Sequence, residues 1–166
     1  LVDGASPLAI HGAIDGVPRI LRLLDKYQIP ASFFIPAVSH LLHPGMIPAI
    51  QQSGRHEIGV HGWIHEHLPS VNDAAAEQDM LDRAIETLTR AIGKRPVGYR
   101  APSWQFSQYT MQQVKNAGFL YDSSLMASDD AYEILLDQTA HGAGATPLQR
   151  TGLDFPSFAA RRPRRG

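Results

Sequence analysis

Short apolar runs alternate along the chain with longer stretches in which apolar residues recur every three or four positions. The short runs predict four strands, at 31–35, 56–60, 97–99 and 119–121. The longer stretches predict four helices, at 17–27, 46–52, 73–92 and 108–117. Alternation of strands and helices favours a parallel sheet covered by helices. Asn72 is placed to cap the longest helix, and Gly93 is placed to end it.

Polar and aromatic residues follow three of the predicted strands, in the segments 61–67, 100–104 and 122–124. In a β/α barrel, the loops after the C-terminal ends of the strands build the active site, and a complete barrel typically needs about 250 residues. This chain has 166 residues. We therefore predict an α/β fold that is a distorted or incomplete (β/α) barrel, for which truncation at both ends is one explanation.

The densest group of histidines lies directly after the second predicted strand. His61 and His65 are four positions apart, so their imidazoles can share one face of a helical turn and reach one ion. Neutral imidazole suits zinc, nickel or cobalt. The alternative is a pair of surface histidines on a loop. Trp63 beside the pair, and Glu66 and His56 as nearby groups that could orient the imidazoles, favour the metal site.

A zinc site that hydrolyses a substrate usually has a third protein ligand, often a carboxylate, and one open position. Asp3 is the candidate upstream, and Asp122 is the candidate downstream. For Asp3 the alternative is a frayed chain terminus. His67 is adjacent to the pair but faces another direction, which favours a role in substrate binding or in structure.

The amino-acid composition limits which side chains can bind a metal or act as a nucleophile, and which partners are expected. The chain has no cysteine, which excludes thiolate metal ligands, a cysteine nucleophile and a disulfide scaffold. Any metal must therefore be bound by histidines and carboxylates. The formal net charge of −1 gives no reason to expect nucleic acid as a partner. No apolar run approaches the roughly 20 residues of a membrane span, and the first residues do not resemble a secretion signal. We expect no membrane partner and a cytoplasmic location.

The charge is unevenly distributed along the chain. Residues 150–166 contain five arginines and one aspartate, so an acidic body precedes a basic end. Residues 138–166 are rich in Ala, Gly, Pro and Arg and show neither helical nor strand periodicity. We predict a domain at 1–137 and an irregular, disordered basic tail at 138–166. Solvated disorder is favoured over binding of an anionic surface by this tail.

Four motifs, in this order and spacing, resemble the polysaccharide deacetylases, the NodB homology domain of carbohydrate esterase family 4. The motifs are ASFFIPA at 31–37, GRHEIGVHGWIHEH at 54–67, GKRPVGYRAPSWQFS at 93–107 and GFLYDSSL at 118–125. The chain is most similar to the subgroup that contains peptidoglycan-deacetylase-like and allantoinase-like proteins, over about residues 12–136. This family folds as a distorted, often incomplete β/α barrel.

The resemblance implies a divalent metal, with zinc as the expected ion, bound by His61 and His65. The first motif of the subgroup is Asp-x-Asp, in which the first Asp is the general base and the second binds the metal. Asp3 aligns with the second of these, but the base position then holds Leu1; alternatively, the motif lies upstream of this chain. The general acid of the family is a late histidine, and His141 lies in no matching context.

The resemblance also implies roles for residues that follow the third and fourth predicted strands. Arg100 matches the arginine that orients the catalytic aspartate, and Asp122 joins it as a catalytic candidate. For Arg100 the alternative is a surface ion pair, and for Trp104 it is a core aromatic residue. Trp104 matches the aromatic wall near the acyl group. The residues expected to line the substrate site are Trp63, His67, Pro102, Trp104 and Ser123.

These features predict a metal-dependent hydrolase of amide C–N bonds that acts on an N-acetylated sugar of peptidoglycan or chitin type, or on a small amide. One alternative is an allantoinase-like hydrolase of cyclic amides. Another is a catalytically inactive, truncated or frame-shifted family member, because neither the general base nor the general acid has a matching residue. The expected partner is the substrate, and a homo-oligomer is compatible with the sequence.

Overall fold

The computed structural model describes residues 12–126, 133–135 and 148–150. Its centre is a parallel sheet in which consecutive strands are neighbours. The strands are β1 (Ser32–Ile35), β2 (Glu57–Val60), β3 (Gly98–Tyr99) and β4 (Tyr121–Asp122). The register of β1 and β2 runs from Ser32 opposite Glu57 to Ile35 opposite Val60. The described sheet is open rather than closed into a barrel, which confirms the predicted α/β class with an incomplete barrel.

Helices connect the strands and cover one face of the sheet. In the described residues they are α1 (Val17–Tyr27), α2 (Ala37–Leu42), α3 (Met46–Gln51), α4 (Ala74–Ile92) and α5 (Thr110–Asn116). A π-helical segment, Gly12–Gly16, leads directly into α1. All four predicted helices are present, whereas α2 was not predicted because six residues are too few to show a helical period. None of the described helices is long and apolar enough to cross a bilayer.

The residues that cap the two ends of α4 agree with the predicted ones to within one position. Asp73, and not Asn72, caps the helix, since its carboxylate accepts hydrogen bonds from the backbone amides of Ala75 at 2.8 Å and Ala76 at 3.3 Å. The predicted cap was wrong by one residue because both side chains suit the position, and the charged one also complements the helix dipole. Gly93 ends the helix with a left-handed φ of 81°, as predicted.

The core lies between the sheet and the helices that pack against it. On α4 the buried positions include Leu81, Ala84, Ile85 and Leu88, which belong to the predicted apolar stripe. Ile47 and Ile50 of α3 and Ile35, Ile58, Val60 and Tyr99 of the strands complete most of this core. Burying each of the larger aliphatic side chains contributes about 1.5–3 kcal/mol, so this layer fixes the orientation of the sheet.

On the opposite face of the sheet, aromatic rings lie directly over glycines. A Cβ atom at Gly59 would lie 2.6 Å from the Phe34 ring, and one at Gly98 would lie 2.4 Å from the Tyr121 ring. The Tyr121 ring thus crosses β3, and its hydroxyl donates a hydrogen bond of 2.8 Å to Glu57 Oε2 on β2. Glycine inside a strand often marks such a close approach. These two glycines therefore let rings from the edge strands cover the middle of the sheet.

Gly98→Ala is expected to destabilise the protein by about 1–3 kcal/mol, because the new methyl group and the Tyr121 ring would occupy the same space. Urea unfolding measures the loss. Gly45→Ala is the matched control, since a Cβ atom there meets nothing within 4 Å. The loss should shrink in a Tyr121→Ala background. Equal effects of Gly98→Ala and Gly45→Ala would contradict this packing.

Two short strands lie beyond the parallel sheet. They are β5 (Glu133–Leu135) and β6 (Leu148–Arg150), and they pair antiparallel with Glu133 opposite Arg150. β6 lies within 138–166, where the sequence predicted no strand. That prediction was wrong for these three residues, because a strand this short shows no measurable period. The domain boundary at residue 137 stays a prediction, and the rest of the predicted tail lies outside the described residues.

Candidate active site

The loops that follow β2, β3 and β4 lie side by side at the C-terminal edge of the sheet. His61, Arg100 and Ser123 each donate a backbone hydrogen bond to a carbonyl of the neighbouring strand, at 3.2, 2.9 and 2.9 Å. The ladder of the sheet therefore continues one residue beyond each strand. This arrangement places the predicted site residues 61, 100 and 123 next to one another, as expected for the active edge of a β/α barrel.

The imidazole of His61 is fixed by the backbone of the next strand. Its Nδ1 lies 2.7 Å from the carbonyl oxygen of Arg100. A carbonyl only accepts, so Nδ1 carries the proton and Nε2 keeps a free lone pair. Burial is the main cause that lowers the pKa of His61, whereas the hydrogen bond to Arg100 opposes this shift. The result is a neutral imidazole with one nitrogen available as a ligand.

His65 lies beside His61 at a ring separation that two ligands of one ion can have. The two ring centres are 5.0 Å apart and the ring planes are inclined by 73°. Two imidazoles on one tetrahedral zinc, each with a Zn–N distance of about 2.0 Å, have ring centres about 5 Å apart. In residues 12–126 no cluster of three histidine or acidic side chains is found. Asp3, the predicted third ligand, lies outside the described residues, as does His141.

His56 and Glu66, predicted to orient the imidazoles, contact neither ring. His56 precedes β2 and His61 follows it, so about 16 Å of extended chain separates them. The His56 ring packs instead against Phe33, with ring centres 5.4 Å apart. The prediction for His56 was therefore wrong, because five positions along a strand span its full length. Glu66 contacts backbone amides of the loop between the two histidines.

Arg100 connects the loops after β3 and β4. Its Nε donates hydrogen bonds to Ser123 Oγ at 2.7 Å and to the Ser123 carbonyl at 3.3 Å. The guanidinium carbon lies 4.7 Å from the centre of the Phe34 ring, within range of a cation–π interaction. The structure therefore brings the predicted residues Arg100 and Ser123 together. The role of Arg100 in orienting a catalytic aspartate stays a prediction.

Asp122 faces away from this group. Its carboxylate accepts hydrogen bonds from the Ser124 backbone amide at 2.8 Å and from Ser124 Oγ at 2.9 Å. Asp122 is paired with Tyr99, a core residue on the helix-covered face. Alternation along the strand puts Ser123 on the other face. Burial raises the pKa of Asp122, and the bonds from Ser124 oppose that shift. These contacts favour a structural role, and the predicted catalytic role stays a prediction.

Ser124→Ala is expected to destabilise the protein by about 1–3 kcal/mol. The hydroxyl of Ser124 accepts a bond of 2.7 Å from the Ala101 amide and donates to Asp122, so its loss leaves buried polar groups without partners. Chemical denaturation at pH 7 measures the effect. Ser39→Ala, on the partly exposed side of α2, is the control.

The loss in Ser124→Ala should depend on pH. Below the ordinary pKa of an aspartate, the folded Asp122 carboxyl, whose pKa is raised, is protonated with or without the Ser124 hydroxyl, so only neutral hydrogen bonds are lost. Above the folded-state pKa, the variant must bury a carboxylate without the bonds that lowered its pKa. The destabilisation should therefore grow as pH rises. A loss that is the same at pH 3.5 and pH 7 would contradict this.

The remaining predicted substrate contacts differ in exposure. Trp104 exposes 54% of its surface. Pro102 is fully buried, which does not favour its predicted contact with substrate. Trp63 is half-buried against the core, and the exposed His67 has its Nδ1 2.7 Å from Ser70 Oγ. The substrate roles of these residues stay predictions.

Comparison with known proteins identifies the family of this chain. Residues 11–121 match the sequence model of the polysaccharide deacetylases. The chain belongs to the polysaccharide deacetylase family. This confirms the resemblance seen in the four sequence motifs, and the family is generally metal-dependent.

Three relatives show how far the similarity extends. The peptidoglycan deacetylase of Helicobacter pylori is 40% identical over 114 residues, which are 69% of this chain and 38% of that protein. A structure assigned to the polysaccharide deacetylases from Mycobacterium smegmatis is 41% identical with a TM-score of 0.69, over 82% of this chain and 45% of that one. The Puue allantoinase structure is 31% identical with a TM-score of 0.68, over 80% and 43%. The chain spans less than half the length of each.

Proposed function

We propose that this polysaccharide deacetylase chain takes part in metal-dependent hydrolysis of amide bonds and removes acetyl groups from N-acetylated sugars of peptidoglycan or chitin type. The observation that carries the proposal is the pairing of His61 and His65 at the C-terminal edge of the sheet, with ring centres 5.0 Å apart. The Helicobacter pylori relative is named as a peptidoglycan deacetylase, which supports this substrate class.

Zinc is the proposed ion. His61 would bind it through Nε2, because Nδ1 is engaged by the Arg100 carbonyl, and His65 would supply the second imidazole. Asp3 is the candidate third ligand. When bound, a divalent ion supplies Lewis acidity toward the amide carbonyl and toward water.

Other residues at the C-terminal edge of the sheet would surround the histidine pair and contact the substrate. The guanidinium of Arg100 is held by Ser123 on one side and by the Phe34 ring on the other, so a positive charge has a defined position near the imidazoles. Ser103 and Trp104 both have left-handed φ values, 54° and 56°, which is a costly conformation for residues other than glycine. This turn holds an exposed indole at the edge, where a sugar ring or an acetyl methyl group can pack against it.

An allantoinase-like activity is the second candidate. The Puue allantoinase structure has a TM-score of 0.68, nearly equal to the 0.69 of the Mycobacterium smegmatis structure. Both reactions break an amide C–N bond, so the histidine pair suits either. Turnover of allantoin compared with release of acetate from N-acetylated chitin oligomers separates them, and activity on allantoin alone would replace the first candidate.

His61→Ala and His65→Ala are each expected to weaken zinc binding by more than the 10–100-fold typical of residues that merely orient a ligand. Each variant loses one of the two imidazoles that share the ion. Calorimetric titration with Zn²⁺ gives the affinity, and acetate release from N-acetylated chitin oligomers gives the activity.

The control for both variants is His43→Ala, which follows α2 outside the loop of the two histidines. It should leave zinc binding unchanged. Zinc affinity that is the same in His61→Ala, His65→Ala and the unsubstituted chain would show that the ion binds elsewhere.

Trp104→Ala is expected to lower kcat/KM about tenfold, mainly through KM, because the exposed indole would contact substrate and not the reacting atoms. Its stability should change by less than that of Trp63→Ala, since Trp63 packs against the core. Steady-state kinetics on N-acetylated chitin oligomers test this, with Leu120→Ala as a control for loss of an exposed apolar side chain. An unchanged KM in Trp104→Ala would show that Trp104 does not contact the substrate.

A further inference from the structure

The loop that carries His65 has an unusual backbone. Gly62 and His65 have left-handed φ values of 74° and 64°. For a residue with a Cβ atom this conformation costs about 1–2 kcal/mol, so it persists only where surrounding contacts impose it. His65 is also exposed, so packing of its ring does not impose the conformation. Other contacts of the loop must therefore hold the imidazole beside His61.

One set of contacts comes from α2. The backbone amide of Ala37 donates to the Gly62 carbonyl at 3.1 Å, and the amide of Val38 donates to the Trp63 carbonyl at 3.0 Å. These bonds fix the first half of the loop through its acceptors. The backbone amides of Trp63 and Ile64 need a separate partner.

Glu66 is that partner. Its carboxylate oxygens lie 3.1 and 3.0 Å from the Trp63 amide nitrogen, and Oε2 lies 2.9 Å from the Ile64 amide nitrogen. A carboxylate accepts at both oxygens, and bonds to a charged acceptor are about twice as strong as neutral ones. The side chain of Glu66 thus closes the turn by binding the two residues that precede His65.

Gly62 leaves the space that this contact needs. A Cβ atom at Gly62 would lie 2.6 Å from Glu66 Oε1 and 2.9 Å from its Cδ. Gly62 is therefore required both by its φ of 74° and by the carboxylate that lies against it.

We propose that Glu66 is a positioning residue, which fixes the backbone of residues 63–65 and so holds the His65 imidazole at the metal site. It acts through the amides of Trp63 and Ile64, which its two carboxylate oxygens contact. The link to metal binding rests on the proposed function, whereas the link to loop geometry does not.

Glu66→Gln is the most direct variant, because it keeps the size of the side chain but replaces one acceptor oxygen with a donor that would face backbone amides. Amide hydrogen exchange at Trp63 and Ile64, followed by NMR, should become at least tenfold faster. The His65 ring nitrogen shifts should also change. Zinc affinity should fall about 10–100-fold, while the unfolding midpoint stays close to that of the control.

Two further variants sharpen the test. Glu86→Gln is the control, since Glu86 is an exposed residue of α4 that pairs with Arg90. Gly62→Ala would displace the carboxylate without removing its charge, so it should also accelerate exchange at Ile64 and weaken zinc binding. In a Glu66→Ala background, Gly62→Ala should cost less zinc affinity than it does in the unsubstituted chain, because the clash with the carboxylate is gone and only the strain of the positive φ remains.

The outcomes separate this inference from the proposed function. Faster exchange and weaker zinc binding in Glu66→Gln, but not in Glu86→Gln, would support the role of Glu66. Unchanged exchange at Trp63 and Ile64 would overturn it, whatever the zinc affinity. If the unsubstituted chain bound no zinc, the proposed metal site would be wrong, and the exchange rates would still decide whether Glu66 fixes the loop.

Discussion

The candidate site depends on the hydrogen bond between the His61 ring and the Arg100 carbonyl. This bond joins the ends of β2 and β3 at 2.7 Å and decides which nitrogen of the imidazole is free. The acceptor is itself fixed, because the Arg100 amide donates to the Val60 carbonyl at 2.9 Å. The ring is therefore positioned by the sheet rather than by a mobile side chain, and its orientation follows from the parallel register of the strands.

Packing beneath the site supports this arrangement. Glycines at 59 and 98 leave room for the rings of Phe34 and Tyr121, whose planes are inclined by 85° to each other. The Phe34 ring contacts both the Tyr121 ring and the Arg100 guanidinium. Glycines in the strands thus leave room for the aromatic ring against which the Arg100 guanidinium packs. Gly62 in the loop after β2 acts in the same way, because the absence of a side chain there leaves room for the Glu66 carboxylate.

Much of the fold could be predicted from the sequence, because periodicity reports which segments are strands or helices and where parallel strands end. That is why the grouping of His61, Arg100 and Ser123 at one edge could be expected. Spacing alone does not report the face on which a side chain lies. Asp122 and Ser123 both follow the predicted fourth strand, yet Asp122 is the last residue of β4, faces the helices and binds Ser124. His56 is five positions from His61 yet lies at the other end of β2.

The remaining differences between the predicted and the observed structure arise where local sequence patterns are too short or too ambiguous. The helix α2 is too short to show a period, and neighbouring Asn72 and Asp73 are equally good caps by type. The role of Ser124 depends on contacts across strands that no local pattern shows. The glycines inside strands and in the histidine loop carried a signal that the sequence predictions did not use, since glycine in such positions often marks a close approach, here by Phe34, Tyr121 and Glu66.

Long-range proton–nitrogen NMR correlation of the zinc-loaded protein can show which of the two His61 ring nitrogens binds the ion and which keeps its proton. We expect zinc to shift Nε2 of His61 and one ring nitrogen of His65, while Nδ1 of His61 keeps its proton and its hydrogen bond to Arg100. Zinc bound at Nδ1 of His61, or zinc that leaves both imidazoles unchanged, would contradict this expectation.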